Sequence, residues 1–269
     1  MVGSVLVEML RRHWRQALFW GLGIGALTFL QIIVLPDVDA LQQLAELMET
    51  VPPAFAQMFG LNDTQYLATP EGYVATRTFG LLLLLVSIYA IVAGLNVTAN
   101  DEERGVMDNV LALPISRWQL VLEKLLAYAL MSIFVVVVIC LLTILAVTLT
   151  PALGIDMGKI VLGSVNVLPG MLVVLAFTAL VGTVVRSKGL ATALAVLFLV
   201  GSYFIDTLGR DAANSFVAGL RAISFHSYYD GTNVLRFGFN AGNFTLLLIV
   251  ALILAILSLA AYQRRDIGV

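Results

Sequence analysis

The chain has 269 residues, 60% of them apolar and 12% charged, with a mean hydropathy of +0.98. A soluble domain carries about 25% charged residues, and half that charge cannot cover a globule of this size, so a water-soluble enzyme is excluded. Fifteen Lys and Arg against 17 Asp and Glu give a net charge of −2 and no basic footprint for nucleic acid. One cysteine and two histidines exclude a disulfide scaffold and argue against a metal cluster.

What remains is a single all-α membrane domain, residues 1–269. An uncharged apolar run of about 18 residues can cross a hydrocarbon core as a helix, and six runs qualify: 16–35, 78–97, 125–149, 160–185, 189–205 and a last one that begins near Phe244 and ends at 262. None alternates with period two, which excludes a barrel. Arg11, Arg12 and Arg15 precede the first run, whose length suits an uncleaved span better than a secretory signal. Gly21 to Ala26 formally satisfies a dinucleotide fingerprint, but no strand precedes it. Gly21 and Gly25 instead have the spacing that lets two membrane helices approach closely.

The segment 36–77 is acidic until Arg77 and carries an apolar stripe at Val38, Leu41, Leu44, Leu47 or Met48 and Val51, broken by Pro52-Pro53. It reads as an amphipathic segment at the outer interface. The loop between the second and third runs opens with Asp101-Glu102-Glu103-Arg104, which suits a first helical turn. Val106, Val110 and Leu113 then share a face, Pro114 stops the helix, and Ser116 can cap the next one. A helix that only anchored this loop to lipid would present Lys and Arg, whereas acids open this one and favour a protein partner.

Pro169-Gly170 in the fourth run marks an expected kink or break. The second outer segment, 206–243, is rich in Gly, Asn and aromatics. With both termini cytoplasmic, the inner segments hold ten basic residues and the outer ones five, as positive residues distribute across cell membranes.

Absences narrow the chemistry. The sequence contains no phosphate loop G-x-x-x-x-G-K-[ST], no H-E-x-x-H and no G-x-S-x-G. His13 and His226 read as isolated surface or interface side chains. No Lys, Arg, Asp or Glu falls within the six runs, which argues against a proton-driven carrier, leaves a sodium-coupled one using backbone carbonyls open, and suggests that energy arrives from elsewhere. The arginine spacing after Glu102-Glu103 does not fit intramembrane proteases that use Glu-Glu-x-x-x-Arg.

The inner loop resembles that of ABC-2-type transporter permeases, the membrane subunits of ATP-binding-cassette exporters. The matching residues are Glu102/Glu103, Gly105, Leu111, Pro114-Ile115-Ser116-Arg117 and Lys124; Val106-Met107 stands where the family often has Thr-Leu. Pro52-Pro53-Ala54-Phe55, running to Phe59-Gly60, and the stretch from Ile223 to Tyr229 also look like family segments. The resemblance implies a plasma-membrane homodimer working with two separate ATP-binding subunits. This chain would bind no cofactor or metal itself, with ATP and Mg held by the partner. Residues 101–113 would form a coupling helix docked on the ATPase, through Asp101, Glu102, Glu103, Arg104, Gly105, Val106, Val110 and Leu113, bounded by Pro114 and Arg117. The pathway would lie at the dimer axis on the first, second and fifth spans, where Thr28, Gln31, Ser87, Tyr89, Asn96, Ser202 and Tyr203 are the polar candidates. The competing reading is a stand-alone secondary carrier or channel.

Overall fold

A computed structural model describes residues 3–35, 46, 66, 69–100, 116–185, 187–210 and 215–264. Among these there is no strand, and six helices are long and apolar enough to cross a membrane: α1 Ser4–Ile33, α2 Pro70–Leu95, α3 Arg117–Leu149, α4 Met157–Val184, α5 Lys188–Arg210 and α6 Ala241–Arg264. Six crossings put Ser4, Leu95, Arg117, Val184, Lys188 and Arg264 at one end of the bundle, here the near end, with the opposite helix termini at the far end.

The helices outrun the apolar runs because polar residues can continue a helix beyond the hydrocarbon and supply its cap. Thr69 accepts from the Gly72 amide at 3.0 Å and starts α2, with Pro70 in its first turn. Asp156 accepts from the Gly158 amide at 2.7 Å and starts α4, and Asn240 accepts from the Asn243 amide at 3.1 Å and starts α6. Ser116 is the residue before α3, and its amide donates to Gln119 Oε1 at 3.4 Å.

Two expected boundaries are corrected. Residues 70–77, assigned to an outer segment, belong to α2, which contains one wide π-helical turn at Ala75–Phe79. Residues 206–210 continue α5 beyond the apolar run, carrying Asp206 and Arg210 with them. At Pro169-Gly170, where a kink or break is expected, α4 runs through the proline as one helix without a break. The stripe from Val38 to Val51 lies outside the described residues.

Helix α4 is central, packed against α2, α3, α5 and α6, while α1 lies along α3. The α1–α3 contact depends on missing side chains. A Cβ on Gly21 would stand 2.9 Å from Val138 Cβ, and one on Gly25 would stand 2.6 Å from Leu142 Cδ1 and 3.3 Å from Ile139 Cα. The spacing of Gly21 and Gly25 therefore does bring two helices together. Thr28 and Thr143 join across the same contact at 2.9 Å.

Between α5 and α6, three short helices, Ser215–Leu220, Phe225–Tyr229 and Val234–Phe237, form a far-end insert. It does not merely cover the surface. Asn166, two and a half turns into α4, donates from Nδ2 to the Tyr229 carbonyl at 2.5 Å, and the Tyr229 hydroxyl donates to the Phe79 carbonyl on α2 at 2.7 Å. Phe225 stacks on Phe198 of α5 at 5.0 Å, and Phe198 stacks on Phe177 of α4 at 4.0 Å. Irregular backbone at such depth persists only where protein groups satisfy it, and Asn166 does so for the Tyr229 carbonyl.

Candidate functional site

The residues expected to couple the chain to an ATPase, Asp101, Glu102, Glu103, Arg104, Gly105, Val106, Val110, Leu113 and Pro114, lie outside the described residues. Arg117 opens α3. The candidate pathway residues do not converge on one site. Thr28 is buried against α3, and its hydroxyl also donates to the Gly25 carbonyl at 2.9 Å. Gln31 is half-buried near the end of α1. Ser87 and Tyr89 are buried in α2; the Ser87 hydroxyl has no hydrogen-bond partner, and the Tyr89 ring meets Trp20 of α1 with centroids 6.1 Å apart. Asn96 ends α2 and accepts from Asn100. Ser202 and Tyr203 face the far-end insert, described next.

At the far end the structure assembles a polar cluster that the sequence did not reveal. Asp206 on α5 is 1% exposed. Its Oδ1 accepts from Arg221 Nε at 2.7 Å, and its Oδ2 accepts from Arg210 at 2.8 Å and lies 3.3 Å from His226 Nδ1. One turn earlier, Ser202 Oγ lies 2.8 Å from Ser224 Oγ and accepts from the His226 amide at 3.2 Å. Tyr203 meets the imidazole edge-on at 5.2 Å.

One expectation is corrected here. His226 is not isolated: it is 5% exposed and paired, although its Nε2 has no hydrogen-bond partner. Just past the charge-free run 189–205, α5 also carries a buried carboxylate, Asp206, paired rather than bare, as burial of a charge requires. The i, i+4 spacing of Asp206 and Arg210 was the available signal; Arg221 and His226 are joined to it only by the return of the chain. Among the described residues no cluster of three metal-ligating side chains occurs.

The near end carries a second arrangement. Glu123 and Lys124, consecutive on α3, are 6% and 2% exposed. Glu123 accepts from the backbone amides of Gly3, Val5 and Leu6, at 2.8, 3.0 and 3.1 Å, at the start of α1. Lys124 Nζ donates to the Val97 carbonyl just past the end of α2, at 3.0 Å. Each charge meets the helix end whose dipole favours it.

A six-span bundle with a far-end insert before its last span narrows the choice, and a family model decides it: the model described as ABC-2 family transporter protein matches residues 10–267. The chain belongs to the ABC-2 transporter family. No curated protein matches it significantly. It is thus a multi-pass membrane protein and the permease component of an ABC transporter, and family membership implies an ATP-binding subunit as partner. ABC-2 permeases are components of membrane transport and are typically non-catalytic.

Proposed function

We propose that this ABC-2 permease is the membrane subunit of an exporter, that it pairs with a second copy of itself, and that it receives its drive through residues 101–113. On this reading the near end is cytoplasmic and both termini lie there, in the plasma membrane of the cell. The observation that carries the reading is the family match over nearly the whole chain, together with the acidic, amphipathic loop between α2 and α3. Glu102 and Glu103 would meet basic or amide groups on the ATPase, and Val106, Val110 and Leu113 its apolar cleft. The partner binds ATP and Mg. The exposed apolar faces of α5 (Leu197, Phe204, Leu208) and α6 (Leu252, Ile256) are suited to lipid or to the second copy.

Thr28, Gln31, Ser87, Tyr89, Asn96, Ser202 and Tyr203 remain the proposed pathway group, on the expectation that the pathway lies at the axis between two copies. The test is co-purification of the tagged chain, expressed with its native neighbouring genes in mild detergent. A soluble subunit with a phosphate loop and ATPase activity supports the reading. A chain that purifies alone and moves solutes without nucleotide supports a secondary carrier instead.

A further inference from the structure

Five of the six long helices have a polar residue beside their own first turn that caps or can cap it: Thr69, Ser116, Asp156, Ser187 and Asn240. Leu190 donates its amide to Ser187 Oγ at 3.4 Å at the start of α5. Helix α1 has no such residue. Gly3 precedes it in a left-handed conformation, φ 94°, with no side chain to offer, and the first amides of a helix have no partner within it. The acceptor comes from 120 residues away, in Glu123. The next residue, Lys124, donates to a carbonyl just past the end of α2, that of Val97. Both side chains are buried, so neither bond is exchanged readily for water.

We propose that Glu123 and Lys124 are positioning residues that lock the near ends of α1, α2 and α3 into one rigid corner, so that a push delivered to the α2–α3 loop moves α1 as well. This rests on the proposed function, because the loop spanning residues 101–115 joins the two helices that Lys124 ties together. Along the chain, that loop reaches α1 only through the whole length of α2 and the segment that precedes it. The bonds from Glu123 to the first turn of α1 carry it at this end; the Gly21 and Gly25 contact lies about five turns deeper and holds the middle of α1 to α3 without fixing its first turn. Carboxylate bonds to helix amides are short, charge-assisted and directional, and therefore resist sliding as well as separation. The corner converts a loop displacement into a concerted movement of three helices, two of which, α1 and α2, carry proposed pathway residues.

The experiment uses the full chain with its ATPase in lipid nanodiscs, with Cys140 replaced by Ser and pairs of spin labels at the exposed positions 8, 118 and 263. Distances are compared without nucleotide and with ATP plus vanadate. In the native sequence the 8–118 distance is narrow in both states, and the 8–263 and 118–263 distances shift together. In the Glu123→Gln/Lys124→Met variant the 118–263 distance still shifts, the 8–263 distance no longer follows it, and the 8–118 distribution broadens. Amide exchange at Val5 and Leu6 rises about tenfold or more in Glu123→Gln. An 8–263 distance that still tracks 118–263 in the double variant overturns the proposal, and so does a broad native 8–118 distribution. If no ATPase binds the native chain, or 118–263 ignores nucleotide, the exporter reading fails. The corner is then decided by the 8–118 width and Val5 exchange in the chain alone: sharpness lost in the variant supports it, and no difference overturns it.

Discussion

Asp206 and His226 stand on opposite sides of a chain reversal, yet Oδ2 of one lies 3.3 Å from Nδ1 of the other, inside a cluster that also holds Arg210 and Arg221. The aspartate is the hub, since each of the other three groups bonds to it. Removing it takes this acceptor from Arg221 and from His226 Nδ1 and leaves Arg210 with the longer contact to Thr232 Oγ1 at 3.5 Å. Asp206→Ala is expected to cost about 2–3 kcal/mol, below the full range for broken buried pairs because both arginines are a third exposed. Arg210→Ala removes an i, i+4 surface-type pair and costs less, about 0.5 kcal/mol. Thermal unfolding in detergent measures both; equal losses would remove Asp206 from its place as hub.

The α1–α3 contact predicts a contrast between glycines one turn or less apart. A methyl at Gly21 meets Val138 Cβ, an atom fixed to the backbone, whereas a methyl at Gly23 meets nothing within 4 Å. Gly21→Ala is expected to destabilise by about 1–3 kcal/mol. Gly23→Ala is expected to be neutral or slightly stabilising, since alanine is the better helix former. Melting temperatures of the two variants side by side decide it.

Tyr229 gives a pH prediction. Burial first, and then the charge of Asp230, push its hydroxyl well above the ordinary value of 10.0, so that it remains a donor to the Phe79 carbonyl. A group whose folded value is raised contributes its full stability below the unfolded value and loses it as pH rises beyond that value. Native stability should therefore be level with respect to Tyr229 up to about pH 10 and fall above it. Tyr229→Phe should lower stability by about 1–2 kcal/mol at neutral pH and show a shallower alkaline fall. Denaturation followed at pH 7 and pH 11 checks both halves.

The coupling loop predicts a loss of association without a loss of fold. Glu102→Ala with Glu103→Ala should leave the melting temperature of the isolated chain unchanged and weaken co-purification with the ATPase about tenfold or more, as loss of interfacial charge pairs does. Undiminished capture of the ATPase would remove those two acids from the interface.

Much of the architecture was legible in advance because membrane insertion is set by local composition. An apolar run of sufficient length has only the helix available to it in lipid, so six spans follow from six runs. The family could be recognised from the short loop pattern around Glu102, Pro114 and Lys124. The Gly21 and Gly25 pair could be read as a contact because spacing alone puts two small residues on one face. The helix ends were less legible, since α5 does not stop where its hydrophobicity does and α2 begins before its own apolar run.

What the sequence by itself determined is which segments enter the membrane, how many there are and which family they form, because each of those depends on residues close together in the chain. Tertiary structure alone decided which polar groups meet. Glu123 reads as an ordinary acid on a helix until the start of α1 arrives 120 residues distant in sequence. His226 reads as isolated until the far-end insert folds back on α5. The physical reason is that a buried charge is tolerated only with its partners in place, and those partners come from distant segments that only the packing of the helices brings together.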